Sequence, residues 1–167
     1  MFDKIETPRG LFTYKLGSAL TMERTVLDML GQLEEAARGQ ELKQQLHHHA
    51  NETRQQIANI EQAFTALGAE VDDKPCAAIE GIEKEGQQLL KMADETLTDA
   101  VILGSAAATE HHEIAVYEGL ITKAEAMGEQ DVVALLQENL EQEQHTLEEV
   151  KKASQKEAQR LAAQATA

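Results

Sequence analysis

A chain of 167 residues with 30 Asp and Glu against 15 Lys and Arg carries a formal charge of −15, which argues against partners that need a basic patch: nucleic acid and anionic membranes. Aromatic residues make up 3%, Pro occurs twice and Cys once, so the composition favours helix and excludes an internal disulfide framework or a thiolate metal cluster. An all-α single domain in a reducing cytoplasm is expected, long enough to bury a core, and its most apolar run, Ala100–Ala108, is far short of the roughly 20 residues of a membrane span.

Residues 1–14 read as a lead-in that mixes Asp3, Lys4, Glu6 and Arg9 with scattered apolar side chains and lacks the apolar stretch of a signal peptide. Residues 15–38 read as a first helix. Leu16, Ala19, Leu20, Glu23, Val26, Leu27, Leu30 and Leu33 share one stripe, in which Glu23 alone is polar. Gly39 supplies a left-handed cap, and the short connection sends a second helix, residues 40–67, back antiparallel. Its inward stripe is Leu42, Leu46, His49, Glu52 with Thr53, Gln56, Ile60, Phe64 and Leu67, apolar at both ends and polar at mid-height. A helix that exists only to pack rarely interrupts its stripe there.

Residues 69–97 read as a crossover. A polar loop runs to Pro75, which suits the first turn of a shorter helix from Cys76 to Met92; a second break precedes Thr98, a fitting N-cap for the third long helix, residues 98–127. On that helix Glu110, Glu113 and Tyr117 project from the face that carries Leu103, Ala106 and Ala107 above and Leu120 and Ile121 below. Gly128 stops it, and residues 130–150 form a fourth helix with the stripe Val133, Leu136, Leu140, Glu143, Leu147 and Val150. Residues 151–167 read as a frayed or partner-contacting tail.

The inward carboxylates agree in height. At 1.5 Å per residue, Glu23 and Glu52 both lie about 20 to 24 Å from the Gly39 turn, and Glu110, Glu113 and Glu143 about 22 to 27 Å from the Gly128 turn. Side-by-side hairpins therefore bring five carboxylates and His49 into one layer, where bare charges would repel one another beyond tolerance. Divalent or trivalent cations remove the conflict, and a carboxylate-rich set with one imidazole suits iron or manganese better than zinc or copper. Di-metal bundles hold a pair of ions a few Å apart with terminal and bridging ligands from all four helices.

Short hairpin, long crossover, short hairpin is the ferritin-like arrangement. The segments Met22-Glu23-Arg24, His49-Ala50-Asn51-Glu52-Thr53, Glu110-His111-His112-Glu113-Ile114-Ala115-Val116-Tyr117 and Leu140-Glu141-Gln142-Glu143 resemble the signatures of the YciE/YciF stress-protein family, with similarity from about Lys15 to Val150. The resemblance implies a ferritin-like four-helix bundle related to rubrerythrins, with a di-iron site and a tendency to dimerise. Where di-iron bundles have Glu-x-x-His on two helices, this chain has His49-x-x-Glu52, Glu110-x-x-Glu113, and Glu143 followed by Thr146; His145 falls on another face. Fewer imidazoles and more carboxylates shift the site toward oxidised metal or manganese.

The metal ligands expected are thus Glu23, His49, Glu52, Glu110, Glu113 and Glu143, holding two iron ions or manganese. Tyr117, a turn from Glu113, fits either a hydrogen-bond donor or redox relay at the site or a core aromatic, and Gln56 fits a hydrogen-bond partner of the carboxylates. Successive side chains of His47, His48 and His49 fan out by about 100°, so only one faces inward. Cys76 reads as an inert thiol with no His beside it. Two functions follow: a di-metal oxidoreductase handling a small oxidant, oxygen or peroxide, or iron itself; and a homodimeric stress-response bundle without catalytic metal.

Overall fold

The computed structural model describes residues 4–165, and within them the elements are α1 (Pro8–Ala36), α2 (Gln40–Ala66), α3 (Ala77–Met92), a 3₁₀ turn (Glu95–Leu97), α4 (Thr98–Met127) and α5 (Gln130–Ala165). Hairpins α1–α2 and α4–α5 lie side by side, with α2 against α5 and α1 against α4, while α3 covers the α1–α4 groove. This is the all-α four-helix bundle expected. Polar ties at each end fix the directions. At one end the Asp99 carboxylate, in the first turn of α4, accepts from the backbone N–H groups of Arg38 at 2.8 Å and Gly39 at 2.9 Å, which would otherwise be left over at the α1–α2 turn. At the other, Arg9 in the first turn of α1 donates to the Leu67 carbonyl at 2.8 Å and pairs with Glu129 in the α4–α5 turn at 2.7 Å. Neighbouring long helices therefore run antiparallel throughout.

Several boundaries differ from the sequence reading. The lead-in is largely helix: Thr7 caps α1 by accepting from Gly10 N–H and Pro8 occupies the first helical position, where its missing donor costs nothing. The tail continues α5 without a break through Ala165, held by Lys156 on Glu41 and by Arg160, which donates to the Thr96 carbonyl at 3.2 Å. Residues 1–3 and 166–167 of the lead-in and tail lie outside the described residues. Gly39 is not left-handed but extended, at φ −75°, as the N-cap of α2; Gly68 and Gly128 hold the positive angles. Cys76 is the N-cap of α3, which begins at Ala77 and leaves Pro75 outside the helix, and Thr98 is the first residue of α4 after Leu97, with Asp94 capping the 3₁₀ turn instead. On α5 it is Val132 that is buried, whereas Val133 is only half-buried.

The core falls into two apolar blocks. Phe12, Leu16, Leu20, Ile60, Phe64, Leu120 and Leu136 fill the end near Arg9, and Val26, Leu30, Leu42, Leu46 and Leu103 the end near Gly39. Between them lies a polar layer. Among the described residues no helix is long and apolar enough to cross a membrane.

The crossover lies directly on α1. The Gly17 carbonyl accepts from Lys74 N–H at 3.1 Å, and a Cβ at Gly17 would come 2.1 Å from the Asp72 carbonyl oxygen. Gly17→Ala is expected to cost about 2–3 kcal/mol because the loop must lift, while Gly31→Ala on the open side of α1, where nothing lies within 4 Å, should gain about 1 kcal/mol. Urea-denaturation midpoints of the two variants check both signs.

Candidate metal centre

Each long helix contributes to the layer: Glu23 from α1, His49 and Glu52 from α2, Glu110 and Glu113 from α4, and Glu143 from α5. Heptad-like spacing puts these residues in the same stripes as the leucines above and below them, so the packing that buries the leucines buries the acids as well. Glu23, Glu113 and Glu143 are fully buried, Glu110 and His49 nearly so; Glu52 keeps 19% of its side chain exposed and forms the solvent edge.

Ligand atoms of His49, Glu110, Glu113 and Glu143 all lie within 4.8 Å of one another. His49 Nε2 is 3.2 Å from Glu110 Oε1 and 3.8 Å from Glu143 Oε2, while its Nδ1 faces Glu52 Oε2 at 3.5 Å and the Thr146 hydroxyl at 3.4 Å. Glu23 joins from the side. The Tyr117 hydroxyl donates to Glu23 Oε1 and accepts from Asn139 Nδ2 at 3.0 Å, and Asn59 in turn donates to Asn139 Oδ1 at 2.8 Å. The Tyr117 hydroxyl thus meets Glu23 while its ring is fully buried in the core, so features of both sequence readings are present.

The layer is short of positive charge. Among the described residues the buried polar groups include no Lys or Arg, so His49 is the only protein cation available to the carboxylates. Glu23 Oε2, His49 Nε2, Glu110 Oε2 and both oxygens of Glu113 and Glu143 have no hydrogen-bond partner. An unpaired buried polar atom costs on the order of 1–3 kcal/mol, so a set of this size needs a common partner. Oxygen donors with one imidazole fit a hard cation such as iron or manganese.

Electrostatics carry the same message. Burial lifts Glu23 from 4.5 to about 7, against the opposing pull of the Tyr117 hydrogen bond and His49. Glu113 and Glu143 are pushed well above the usual carboxylate range, first by burial and then by neighbouring acids: Glu143 and Glu23 around Glu113, Glu110 beside Glu143. Burial works against a charged His49, but Glu110 and Glu52 outweigh it and hold the imidazolium well above its ordinary value. Glu52, at the solvent edge, is held below its ordinary value by His49. Tyr117 is raised by burial and by Glu23, so its hydroxyl stays protonated.

Other sequence-level candidates scatter. His47 and His48 are exposed and lie beside Glu34 at 3.4 Å and Glu52 at 3.5 Å, His111 is exposed, and exposed His145 meets Glu149 at 3.6 Å. Gln56 is buried, but neither side-chain amide atom has a partner; its backbone carbonyl accepts from Asn139 instead. Cys76, expected to have no His beside it, has His112 Nε2 4.0 Å from its sulfur, a contact between the N-cap of α3 and α4 that spacing along one helix cannot reveal. Asn59 and Asn139 were missed altogether. The signal was there: Asn59 is three residues from Gln56 and Asn139 four from Glu143, on the same faces.

The chain resembles proteins already known. The profile of a domain family of unknown function, DUF892, matches residues 7–163. Protein YciF of Escherichia coli K12 is 30% identical over 144 residues, covering 85% of this chain and 87% of the relative. The crystal structure of the E. coli stress protein YciF matches with a TM-score of 0.87 at 28% identity, over 92% of this chain and 98% of that one. YcfI of Rhodopseudomonas palustris, described as a candidate structural protein, matches with a TM-score of 0.87 at 34% identity, over 90% and 98%.

In the metal-free protein Glu23, Glu113 and Glu143 hold protons that the unfolded chain releases near 4.5, so stability is greatest below that value and declines as pH rises through about 7 and beyond. His49, also raised, acts in the same direction, and Glu52 opposes only in the acid range. Glu23 alone accounts for roughly 3 kcal/mol. The melting temperature of chelated protein should therefore drop by on the order of 10 °C between about pH 5 and about pH 8, and Glu23→Gln should flatten the drop. A melting temperature that rises over this interval would show the carboxylates ionised and otherwise compensated.

Proposed function

The chain belongs to the DUF892 family of YciE/YciF-like stress proteins, and from that membership and the buried donor cluster we propose a cytoplasmic, carboxylate-bridged di-metal protein, with iron as its metal, that handles oxygen, peroxide or iron. One observation carries the reading: seven side-chain atoms of Glu23, His49, Glu110, Glu113 and Glu143 are buried in one layer without a hydrogen-bond partner, and one ligand atom from each of the last four lies within 4.8 Å of the others. Glu23, His49, Glu110, Glu113 and Glu143 would hold the ions, with Glu52 at the solvent edge. Manganese would satisfy the same donors.

A bound pair of ferrous ions would supply two electrons to an oxidant, one from each. The protein's own groups prepare the site. Tyr117, aligned by Asn139, turns Glu23 toward the cluster; the apolar blocks on either side exclude bulk water; and Glu52, in contact with both exposed His48 and buried His49, gives protons a path between solvent and the layer.

A second reading, a homodimeric stress-response bundle without catalytic metal, is favoured by a different observation. Leu89, Met92 and Leu97 are 45%, 81% and 40% exposed on one stretch of the crossover, an apolar strip that a second copy of the chain would cover. The proposals separate on metal content. Protein made without a His-tag and titrated anaerobically with ferrous ion is expected to take up about two ions per chain by elemental analysis, Glu113→Ala to take up none, and Glu52→Ala to bind about tenfold more weakly. Absence of uptake, with folding and behaviour unchanged by exhaustive chelation, would establish the second reading instead.

A further inference from the structure

On the Gly39 side of the polar layer a pocket of about 40 Å³ sits between the four long helices. Its walls include Val26, Leu30, Leu46 and Leu103, each 5% exposed or less, and its floor is His49 and Glu110, with Glu52 at the edge. The nearby hydroxyls are already engaged: Thr109 donates to the Ser105 carbonyl at 3.0 Å and Thr146 lies on His49 Nδ1. Two atoms without a hydrogen bond, His49 Nε2, which faces Glu110 Oε1 at 3.2 Å, and Glu110 Oε2, belong to the floor residues. The pocket opens outward between α2 and α5, where Gln45, His48 and Glu149 line it.

Size and wall chemistry together restrict the occupant. A volume of 40 Å³ holds a molecule of about two or three heavy atoms, since one water needs about 10–15 Å³ on this measure. An organic substrate does not fit. A water molecule wants two to four polar partners, and hydrogen peroxide would also give up its hydrogen bonds to bulk water, at a cost of kilocalories for each group left unpaired. A ferrous ion would lose its hydration on apolar walls. Dioxygen, with no hydrogen bonds to surrender, loses nothing.

We propose that this pocket is the access chamber for dioxygen, delivering a small apolar diatomic to the His49–Glu110 side of the cluster and selecting it over peroxide. The assignment deepens the di-metal reading and rests on it.

Xenon, an apolar probe of similar size, tests the chamber with no metal present. In solution NMR of the chelated wild-type protein, methyl resonances of Val26, Leu30, Leu46 and Leu103 should shift saturably under xenon, while those of Leu16, Leu20 and Leu136 in the other block stay put. Ala106 also lines the pocket, and Ala106→Leu, its fold confirmed by the same spectrum, should abolish the shifts. If Leu is not accommodated, Ala106→Val serves in its place. With ferrous ion loaded to the wild-type level, the filled variant should be oxidised about tenfold more slowly by dioxygen yet at an unchanged rate by hydrogen peroxide. Missing xenon shifts, or equal slowing with both oxidants, would overturn the chamber while leaving the metal centre standing. A wild-type protein that takes up no ferrous ion would overturn the centre, and the delivery role with it, even if xenon binds.

Discussion

Carboxylates taken out of water must find positive charge, protons or both, and this bundle is arranged around that requirement. Glu23, Glu113 and Glu143 are wholly enclosed by four helices, and the single imidazolium of His49 cannot neutralise them together with Glu110. Protons do part of the work, as the upward displacement of three carboxyls shows. They leave the lone pairs of the same oxygens unused. A cation engages the lone pairs and replaces the protons, which is why metal affinity at such a site rises with pH while the metal-free fold weakens.

A layer of this kind works only if the helices keep register, because sliding one helix by a turn would move its acid about 5 Å into an apolar block. Register is set far from the layer. Asp99 locks the start of α4 to the α1–α2 turn, Arg9 ties α1 to the ends of α2 and α4, and the crossover presses on α1 at Gly17. Within the layer the chain Glu23–Tyr117–Asn139–Asn59 links α1, α4, α5 and α2 by hydrogen bonds. Each of these ties is polar and directional, so each selects one alignment where leucine packing alone would tolerate several.

The two sides of the layer are not equivalent. Toward Arg9 the core is closed by Phe12, Phe64, Leu120 and Leu136, whereas toward Gly39 the smaller side chains leave the pocket above His49 and Glu110. Glu52 offers a polar margin beside it. The layer is thus bounded by a closed apolar block on one side and by an apolar pocket with Glu52 at its margin on the other.

Much of this was legible in the residue order. Periodicity gave the four long helices, and the interruption of each apolar stripe at equal distance from a turn identified Glu23, His49, Glu52, Glu110, Glu113 and Glu143 as members of one layer, because 1.5 Å per residue is a property of the helix and not of its neighbours. Local rules also misled where a partner overrode them: Gly39 is extended because Asp99, sixty residues later, accepts its N–H, and the tail stays helical where it meets Glu41 and the Thr96 carbonyl. What the sequence by itself determined is which residues share a height and a face, since both follow from backbone geometry. Only the tertiary structure decided that Glu52 forms the edge rather than the centre, that Asn139 aligns Tyr117, that Cys76 meets His112, and that a pocket remains on one side, because these depend on distances between helices, which no spacing along a single helix encodes.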